Sequence, residues 1–384
     1  MTSEISDDTA AAEGGQIRAS TLELFFDLVF VFAITQLTHA FTEHPGWLAL
    51  GRVALVFAIT WWMYSGYVWL TNEVAPNSTM RRTGLLVGMF GFLVIALAIP
   101  GAFTGSGVAF GLGYLVVSTV HSVLFWANGG AQASAAALRL VPPNTTSAVL
   151  VLIGGCVHGW PRYLLWAGAL AVQIATPYLI DPGGFVVRTT HFCERHGLVL
   201  LIAIGESVVA IGAGLAGEDL TVPLLAMVAL ALTLAYVLWW AYFGMDDERG
   251  EHALAAVPGA RRGRPAVLAY GYALYPMLVG IILTAAGMRT VLAQGHRSVP
   301  VSAALALSGG VALFLFGQGC FRLVLRLPRP WLRFLGAAAV LATAPIGVAW
   351  LGWVQLLVLV IVAYAPIIAD DLLSLRAGEH NAYL

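Results

Sequence analysis

Two carboxylates stand inside an apolar and aromatic stretch near the start of the chain. The stretch reads ELFFDLVFVFAITQLT and runs from Glu23 to Thr38. Because Glu23 and Asp27 are four positions apart, both side chains leave one helix in the same direction. An ionised carboxylate near the middle of a bilayer costs roughly 2.5–3.5 kcal/mol, so it normally faces a partner or a water-filled cavity. The stretch therefore predicts a polar site inside a membrane protein.

A second polar group opens a later apolar run, HFCERHGLVLLIAIGESVVAIG at 191–212. Helical spacing places His191, Arg195 and Glu206 on one face of that run. We interpret Asp27 and Glu206 as the candidate proton carriers, because ionisable groups deep inside a span usually have a function.

Nine further residues are candidate substrate-binding groups. They stand at the starts of these two runs or in the aromatic stretches WWMYSGYVW (61–69) and YVLWWAYF (236–243). They are Glu23, His191, Glu194, Arg195, His196, Trp62, Tyr64, Trp240 and Tyr242. The structural alternatives stay open: Glu23 or Asp27 pairs with Arg195 or caps a helix, and the aromatic stretches form interfacial belts.

The sequence favours neither a metal site nor a cofactor. The spacing of His191, Glu194 and His196 does not place all three on one helix face, and no phosphate-binding loop, nucleophile elbow or dinucleotide fingerprint is present. Two acidic clusters, Asp246 to Glu248 and Asp370 with Asp371, are interpreted as solvated loop charge rather than as magnesium ligands. His121 is interpreted as a hydrogen-bonded interior histidine.

Composition places these sites in a membrane. The chain has 384 residues, 59% of them hydrophobic and only 10% charged, and its mean hydropathy is +0.85. The surface of a water-soluble domain of this length needs more polar residues than this. We therefore predict an all-α polytopic membrane bundle. The formal charge of −1 does not support a nucleic-acid partner. The expected partners are the lipid bilayer and a small-molecule or lipid substrate, and the oligomeric state is left open.

Apolar runs of about 20 residues, the length that crosses a bilayer, are separated by Gly, Pro and Arg clusters. Twelve spans are predicted, at 20–42, 47–71, 83–103, 107–129, 144–158, 160–180, 192–215, 221–244, 265–290, 300–325, 331–349 and 352–374. The fifth is short, and it forms a tight helical pair with the sixth or a partly re-entrant segment.

The arginines predict the orientation, because positively charged loops stay in the cytoplasm. With twelve spans and the N-terminus inside, fifteen arginines fall on the inner side. Four fall on the outer side, namely Arg52, Arg162, Arg289 and Arg297. We therefore expect a multi-pass protein of the plasma membrane with both termini in the cytoplasm.

Two short matches recur six spans apart. LVFVFAITQ (28–36) aligns with LVLLIAIGE (198–206) at an offset of 170, and WWMY (61–64) aligns with WWAY (239–242) at an offset of 178. Together they indicate two related six-helix halves of one orientation, as in a class of transporters. The predicted divisions are a disordered cytoplasmic tail at 1–19, a first half at 20–180, a second half at 181–375 and a cytoplasmic tail at 376–384.

Four stretches resemble the bacterial low temperature requirement protein A family. They are TLELFFDLVFVFAITQLTHAF (21–41), ALAIPGAF (96–103), HFCERHGLVLLIAIGESVVAIG (191–212) and WWAYF (239–243). The first and third are specific, and the match extends in order over most of the chain. The resemblance implies a multi-pass inner-membrane protein of two related halves, named for a cold-growth phenotype. It carries no molecular activity over to this chain.

Three positions depart from the family pattern. A histidine is expected where the chain has Leu274, an arginine where it has Ser118, and an aspartate where it has Gly244. These departures are consistent with a specialised branch of the family.

The leading hypothesis is a transporter or permease-like protein with a site between the two halves, lined by Asp27, Glu194, Arg195 and Glu206. The alternative is a membrane-embedded enzyme that acts on an isoprenoid or lipid, for example in a cyclase-type reaction, with a protonated carboxylate as acid. A third is a lipid-binding or sensing scaffold. A lateral opening to lipid favours the enzyme, whereas a cavity that reaches water favours transport.

Overall fold

The computed structural model describes residues 20–376 apart from 74–77, 129, 181–184, 186, 216, 218, 295 and 296. The tail predicted at 1–19 lies outside the described residues, as does all but Arg376 of the tail predicted at 376–384.

The described residues form helices and their connections, without a strand. The helices are α1 Thr21–Glu43, α2 Trp47–Glu73, α3 Thr79–Ala98, α4 Gly107–Asn128, α5 Gly130–Cys156, α6 Trp160–Leu179, α7 Thr189–Gly214, α8 Val222–Phe243, α9 Asp246–Ala256, α10 Gly263–Ala266, α11 Leu274–Gln294, α12 Val301–Val324, α13 Pro330–Leu341, α14 Ala344–Ala349 and α15 Gly352–Arg376. A π-helical segment, Val267–Ala273, joins α10 to α11. The predicted all-α fold is confirmed.

Eleven helical stretches in the described part of the chain are long and apolar enough to cross a membrane. The sixth predicted span corresponds to α6, which is 20 residues long but is not one of these eleven stretches. It carries Arg162 and Gln173, which lower its hydropathy. Arg162 stands at the start of α6 and is buried. Its buried guanidinium donates to the carbonyl oxygens of Ala102, Gly154 and Gly155.

The fifth span is longer than predicted. The predicted start at residue 144 treated Pro142 and Pro143 as a break, but α5 begins at Gly130 and contains both prolines. Prolines occur inside membrane helices where neighbouring groups satisfy the carbonyls that they free. With 27 residues, α5 is long enough to cross a bilayer, so the re-entrant alternative is not needed.

The helices pack in the same order in both parts of the chain. In the first part α3 packs on α1 and α4, α4 packs on α5, and α5 packs on α6. In the second part α11 packs on α7 and α12, α12 packs on α13, and α13 packs on α15.

A close glycine crossing recurs between α3 and α4 and between α11 and α12. A Cβ on Gly113 would lie 2.9 Å from the carbonyl oxygen of Gly91, and one on Gly280 would lie 2.5 Å from that of Gly310. Small residues are needed at these positions because the backbones touch.

The two parts of the chain meet where α1 packs on α7 and α11, and where α2 packs on α7. This contact is called the α1–α7 seam. It contains the polar starts of α1 and α7.

Candidate functional site

A capping box formed by Ser20 and Glu23 begins α1. The Ser20 N–H and hydroxyl donate to Glu23 Oε2 at 2.7 and 2.8 Å, and the Glu23 N–H donates to Ser20 Oγ at 3.4 Å. These bonds satisfy the first turn of the helix. They hold the Glu23 carboxylate in place, with Oε1 directed at α7.

Arg195 of α7 joins both carboxylates of α1. Its Nη1 lies 3.0 Å from Glu23 Oε1, and its Nη2 donates to Asp27 Oδ1 at 2.6 Å. Tyr64 of α2 donates its hydroxyl to the same Oδ1 at 2.6 Å. His191, one turn before Arg195, places Nε2 3.2 Å from Glu23 Oε1. These five residues are called the seam cluster. The predicted pairing of Glu23 or Asp27 with Arg195 is confirmed for both carboxylates.

The seam cluster is closed off, because each of its five residues is at most 4% exposed. Two carboxylates face one guanidinium, so the cluster carries a formal charge of −1 while His191 is neutral. One added proton makes it neutral. Asp27 can take that proton on Oδ2, which is buried and has no hydrogen-bond partner among the described residues.

Glu206 lies at another depth of the α1–α7 seam. Its Oε2 accepts a hydrogen bond from the Thr35 hydroxyl at 2.6 Å. Thr35 stands eight residues after Asp27, which is about 12 Å along α1. The structure therefore separates the two predicted proton carriers by depth.

The same contacts show how α1 and α7 run. Asp27 bonds Arg195 across 168 positions, and Thr35 bonds Glu206 across 171 positions. The later residue of α1 contacts the later residue of α7, so the two helices run in the same direction. Their separations are close to the offset of 170 between the repeated sequences.

A cavity lies on the opposite side of α2 from the seam cluster. It contains about 810 Å³ of space not filled by atoms, part of it continuous with the exterior. Helices α2, α4, α5 and α6 line it from the first part of the chain, and Val267 and Gly271 of the π segment line it from the second part.

Aromatic rings form one wall of this cavity. The ring centroids of Trp69 and Phe185 are 6.3 Å apart, those of Phe185 and Phe125 are 5.1 Å apart, and those of Phe125 and His121 are 5.4 Å apart. The π segment is held against α2 because Trp61 Nε1 donates to the carbonyl oxygen of Gly271 at 2.7 Å.

The cavity also has polar lining groups. His121 Nε2 lies 3.1 Å from the carbonyl oxygen of Gly66, so the predicted hydrogen bond of an interior histidine is confirmed. Gln173 Nε2 donates to Asn144 Oδ1 and to the Tyr114 hydroxyl, each at 3.4 Å. Gln173 was not among the predicted site residues, since one glutamine within a span does not by itself indicate a cavity.

A second buried ion-pair network was missed. The prediction of solvated loop charge was wrong for Asp246, at the start of α9, and for Asp370 in α15, which are 1% and 0% exposed. Arg322 donates Nε to Asp246 Oδ2 at 2.7 Å and places Nη2 2.6 Å from Asp370 Oδ2. Arg329 and Arg333 approach Asp370 at 2.9 and 3.4 Å. These five residues are called the arginine cluster.

One sequence signal could have found the arginine cluster. Arg322 and Arg333 both stand inside predicted spans, where an arginine needs an acidic partner. The nearest unassigned acids were those interpreted as loop charge.

The other predicted site residues are spread over the fold. Trp62 lines the cavity, and Glu194 is half-buried on α7. His196 Nδ1 lies 2.9 Å from the carbonyl oxygen of Phe192, and its ring packs on Tyr270.

Trp240 and Tyr242 are not among the residues that line the cavity. Trp240 is half-buried beside Trp239, and Tyr242 is buried against Phe243 and Phe321. The described residues contain no group of three side chains that could hold a metal ion.

Comparison with known proteins decides the family. The family model described as bacterial low temperature requirement A protein (LtrA) matches residues 18–368. This chain belongs to that family. A relative, Uncharacterized protein RA0937 of Rhizobium meliloti (strain 1021), is 30% identical over 315 residues, which are 79% of this chain and 76% of the relative.

The range matched by the low temperature requirement A family model includes every residue of the seam cluster and every residue that lines the cavity. With its long apolar helices, this family member is a multi-pass membrane protein in contact with the lipid bilayer. At Ser118, where the resemblance led us to expect an arginine, the hydroxyl donates to the carbonyl oxygen of Asn144 at 3.4 Å.

Proposed function

We propose that this low temperature requirement A protein is a proton-coupled transporter or permease-like protein of two related six-helix halves, residues 20–180 and 181–375. The observation that carries the proposal is the seam cluster, in which Arg195 of the second half bonds Glu23 and Asp27 of the first. A charged contact between two halves can hold one arrangement closed and release it when its charge changes.

The relation between the halves rests on packing and on the repeated sequences. The helices have the same order of neighbours in both parts, and a glycine crossing recurs at corresponding helices. Parallel α1 and α7, in contact at nearly the repeat offset, fit two halves related by an axis along the membrane normal.

The seam cluster also supports a proton as the coupling ion. With two carboxylates, one guanidinium and a histidine, it reaches neutrality by taking up one proton. Uptake on Asp27 changes the attraction between α1 and α7. We assign Asp27 and Glu206 as proton carriers at two depths of the α1–α7 seam, as coupling across a membrane requires.

The cavity is the proposed place of the transported molecule, because residues of both halves line it. A membrane-embedded enzyme is the second candidate. Its support is the apolar border of the cavity, whose half-buried lining includes Trp62, Leu140, Ile180 and Val267 and so favours entry from lipid. None of the described residues that line the cavity carries a carboxyl group for acid catalysis, so we give transport priority.

The test is access to the cavity from each side of the membrane. Ser65 lines the cavity and is 9% exposed. A Ser65→Cys variant without the native cysteines is labelled with a membrane-impermeant thiol reagent in right-side-out and inside-out vesicles, at acidic and alkaline pH. If the protein is a transporter, the cysteine should be labelled from both sides of the membrane. The ratio of labelling in the two kinds of vesicle should change with pH.

A matched control uses Cys156, which is exposed at the end of α5. As the single cysteine it should be labelled from one side at every pH. If Ser65→Cys also reacts from one side only, whatever the pH, the transport proposal is wrong and the enzyme becomes the better candidate.

A further inference from the structure

The cavity carries unused hydrogen-bond acceptors, and these indicate the chemistry of its ligand. The first is on His121. A carbonyl oxygen can only accept, so the contact with Gly66 at 3.1 Å places the ring hydrogen on Nε2. The Nδ1 of the neutral ring is then an acceptor. It is buried and has no partner among the described residues, and the side chain lines the cavity.

The second acceptor is on Gln173, which is 1% exposed and lines the same cavity. Its Nε2 is used by Asn144 and Tyr114. Its Oε1 is buried and, within the described part of the chain, has no hydrogen-bond partner. A buried acceptor without a partner is unfavourable, so a ligand that donates a hydrogen bond to it removes that penalty.

The rest of the lining decides the charge of the ligand. Most of the lining side chains are apolar, and they include the rings of Trp62, Trp69, Phe125 and Phe185. The described lining residues include no Asp, Glu, Arg or Lys. A cation or an anion would lose its hydration there without gaining a partner of opposite charge.

We propose that the cavity binds a neutral, predominantly apolar alcohol, whose hydroxyl donates to His121 Nδ1, while Gln173 Oε1 offers a second acceptor. The apolar body packs against the aromatic wall and enters past the apolar border. This inference does not depend on transport, because a cavity that never changes its access would bind the same ligand.

The experiment uses three cage compounds of one shape and the full-length protein in lipid nanodiscs. Tritiated 1-adamantanol is the probe, measured by scintillation-proximity binding. Unlabelled 1-methoxyadamantane, which cannot donate, and 1-adamantylamine, which is cationic, compete with it. The ether is expected to bind about tenfold more weakly than the alcohol, the effect of one hydrogen bond. The amine is expected to bind more weakly still.

Two substitutions at His121 test the acceptor. His121→Asn keeps an oxygen near the position of Nδ1, whereas His121→Gln keeps a donor near Nε2 and removes the Nδ1 acceptor. The Asn variant should retain the preference for alcohol over ether, and the Gln variant should lose it. His158→Gln, at an exposed loop position, is the control and should leave binding unchanged.

The wild-type comparison keeps the test decisive if a variant does not fold. Equal affinity for alcohol and ether overturns the proposed hydrogen bond. Tighter binding of the amine overturns the neutral ligand and indicates a cation held by the aromatic rings. Failure of all three to bind overturns the ligand class, without bearing on the access measured at Ser65→Cys.

Discussion

The seam cluster and the arginine cluster are both buried ion-pair networks, but their charges are balanced in opposite ways. In the seam cluster Glu23 and Asp27 share one guanidinium, with His191 beside them. In the arginine cluster Arg322, Arg329 and Arg333 share Asp246 and Asp370. The first has an excess of acid and the second an excess of base.

This difference determines whether a network can change its charge by taking up a proton or keeps its charge and holds the helices together. An arginine keeps its charge at any working pH, so a network with arginine in excess stays charged and attractive. A network with acid in excess and a histidine can take up a proton. The seam cluster joins α1 and α2 to α7, whereas the arginine cluster joins helices α9, α12, α13 and α15 within the second part of the chain.

In the proposed relation between the halves, the cavity and the arginine cluster lie in corresponding parts of the chain. Counting spans from α1 and from α7, helices α2, α4, α5 and α6 correspond to α8, α12, α13 and α15. The first set lines the cavity with neutral side chains. In the second set, the arginine cluster joins α12, α13 and α15 to one another and to α9. The first set therefore borders empty space, whereas helices of the second are held together by ion pairs.

The largest effect is expected in the arginine cluster. Asp370→Asn removes the carboxylate that Arg249, Arg322, Arg329 and Arg333 all approach. Breaking a buried pair on one side costs about 3–5 kcal/mol. The free energy of unfolding, measured by denaturant titration in mixed micelles, should fall by that amount. Asp371→Asn, at the next and half-buried position, is the control and should change it by less than about 0.5 kcal/mol. Similar losses from both variants would contradict the ion-pair assignment.

Arg195→Gln should come next, because it leaves Glu23 and Asp27 buried without their cation. A loss of about 3–5 kcal/mol is expected, together with loss of the pH-dependent labelling at Ser65→Cys. Neutralising all three groups, with Glu23→Gln and Asp27→Asn added, should restore most of the stability and none of the pH response. Arg376→Gln, exposed at the end of α15, is the control. Recovery of the pH response in the triple variant would show that the seam cluster only holds helices together.

Intermediate effects are expected where helices touch through glycine. A Cβ on Gly310 would lie 2.5 Å from Thr284 Oγ1, whereas one on Gly309 would meet nothing within 4 Å. Gly310→Ala should therefore lower the free energy of unfolding by about 1–3 kcal/mol through overpacking. Gly113→Ala should do the same at the corresponding crossing of the first half. Gly309→Ala is the neighbouring control, and a loss there equal to that at Gly310 would refute the packing argument.

The smallest change in stability is expected at the deeper end of the α1–α7 seam. Glu206→Gln keeps an oxygen to accept from Thr35, so the free energy of unfolding should change by about 1 kcal/mol or less. The pH response of labelling at Ser65→Cys should nevertheless be reduced, because an amide cannot gain or lose a proton as a carboxylate does. Thr35→Val removes the hydrogen bond and keeps the carboxylate, so it should retain the pH response. Equal responses in both variants would remove Glu206 from the proposed proton carriers.

Much of the fold could be predicted from patterns that act locally. Runs of apolar residues set the helices, and the capping box at Ser20 and Glu23 set the start of α1. The pairing of Arg195 with Glu23 or Asp27 could be foreseen because α1 and α7 carry opposite charges at equivalent depths, but the structure was needed to show that both acids take part. The start of α5 could not be predicted, because prolines such as Pro142 and Pro143 are also common in loops. Their tolerance depends on neighbours that are distant in sequence.

The sequence by itself determined that this is a helical membrane protein of the low temperature requirement A family, with charge buried where α1 and α7 begin. Hydropathy and helical spacing are properties of single segments, so they can be read without knowing the partners. Only the tertiary structure decided that Asp246 and Asp370 are held by arginines and that Asp27 and Glu206 lie at different depths. It also decided that His121 and Gln173 line a cavity. Each of these depends on which helices meet, and the same polar residue is solvated, paired or directed at a ligand according to its neighbours.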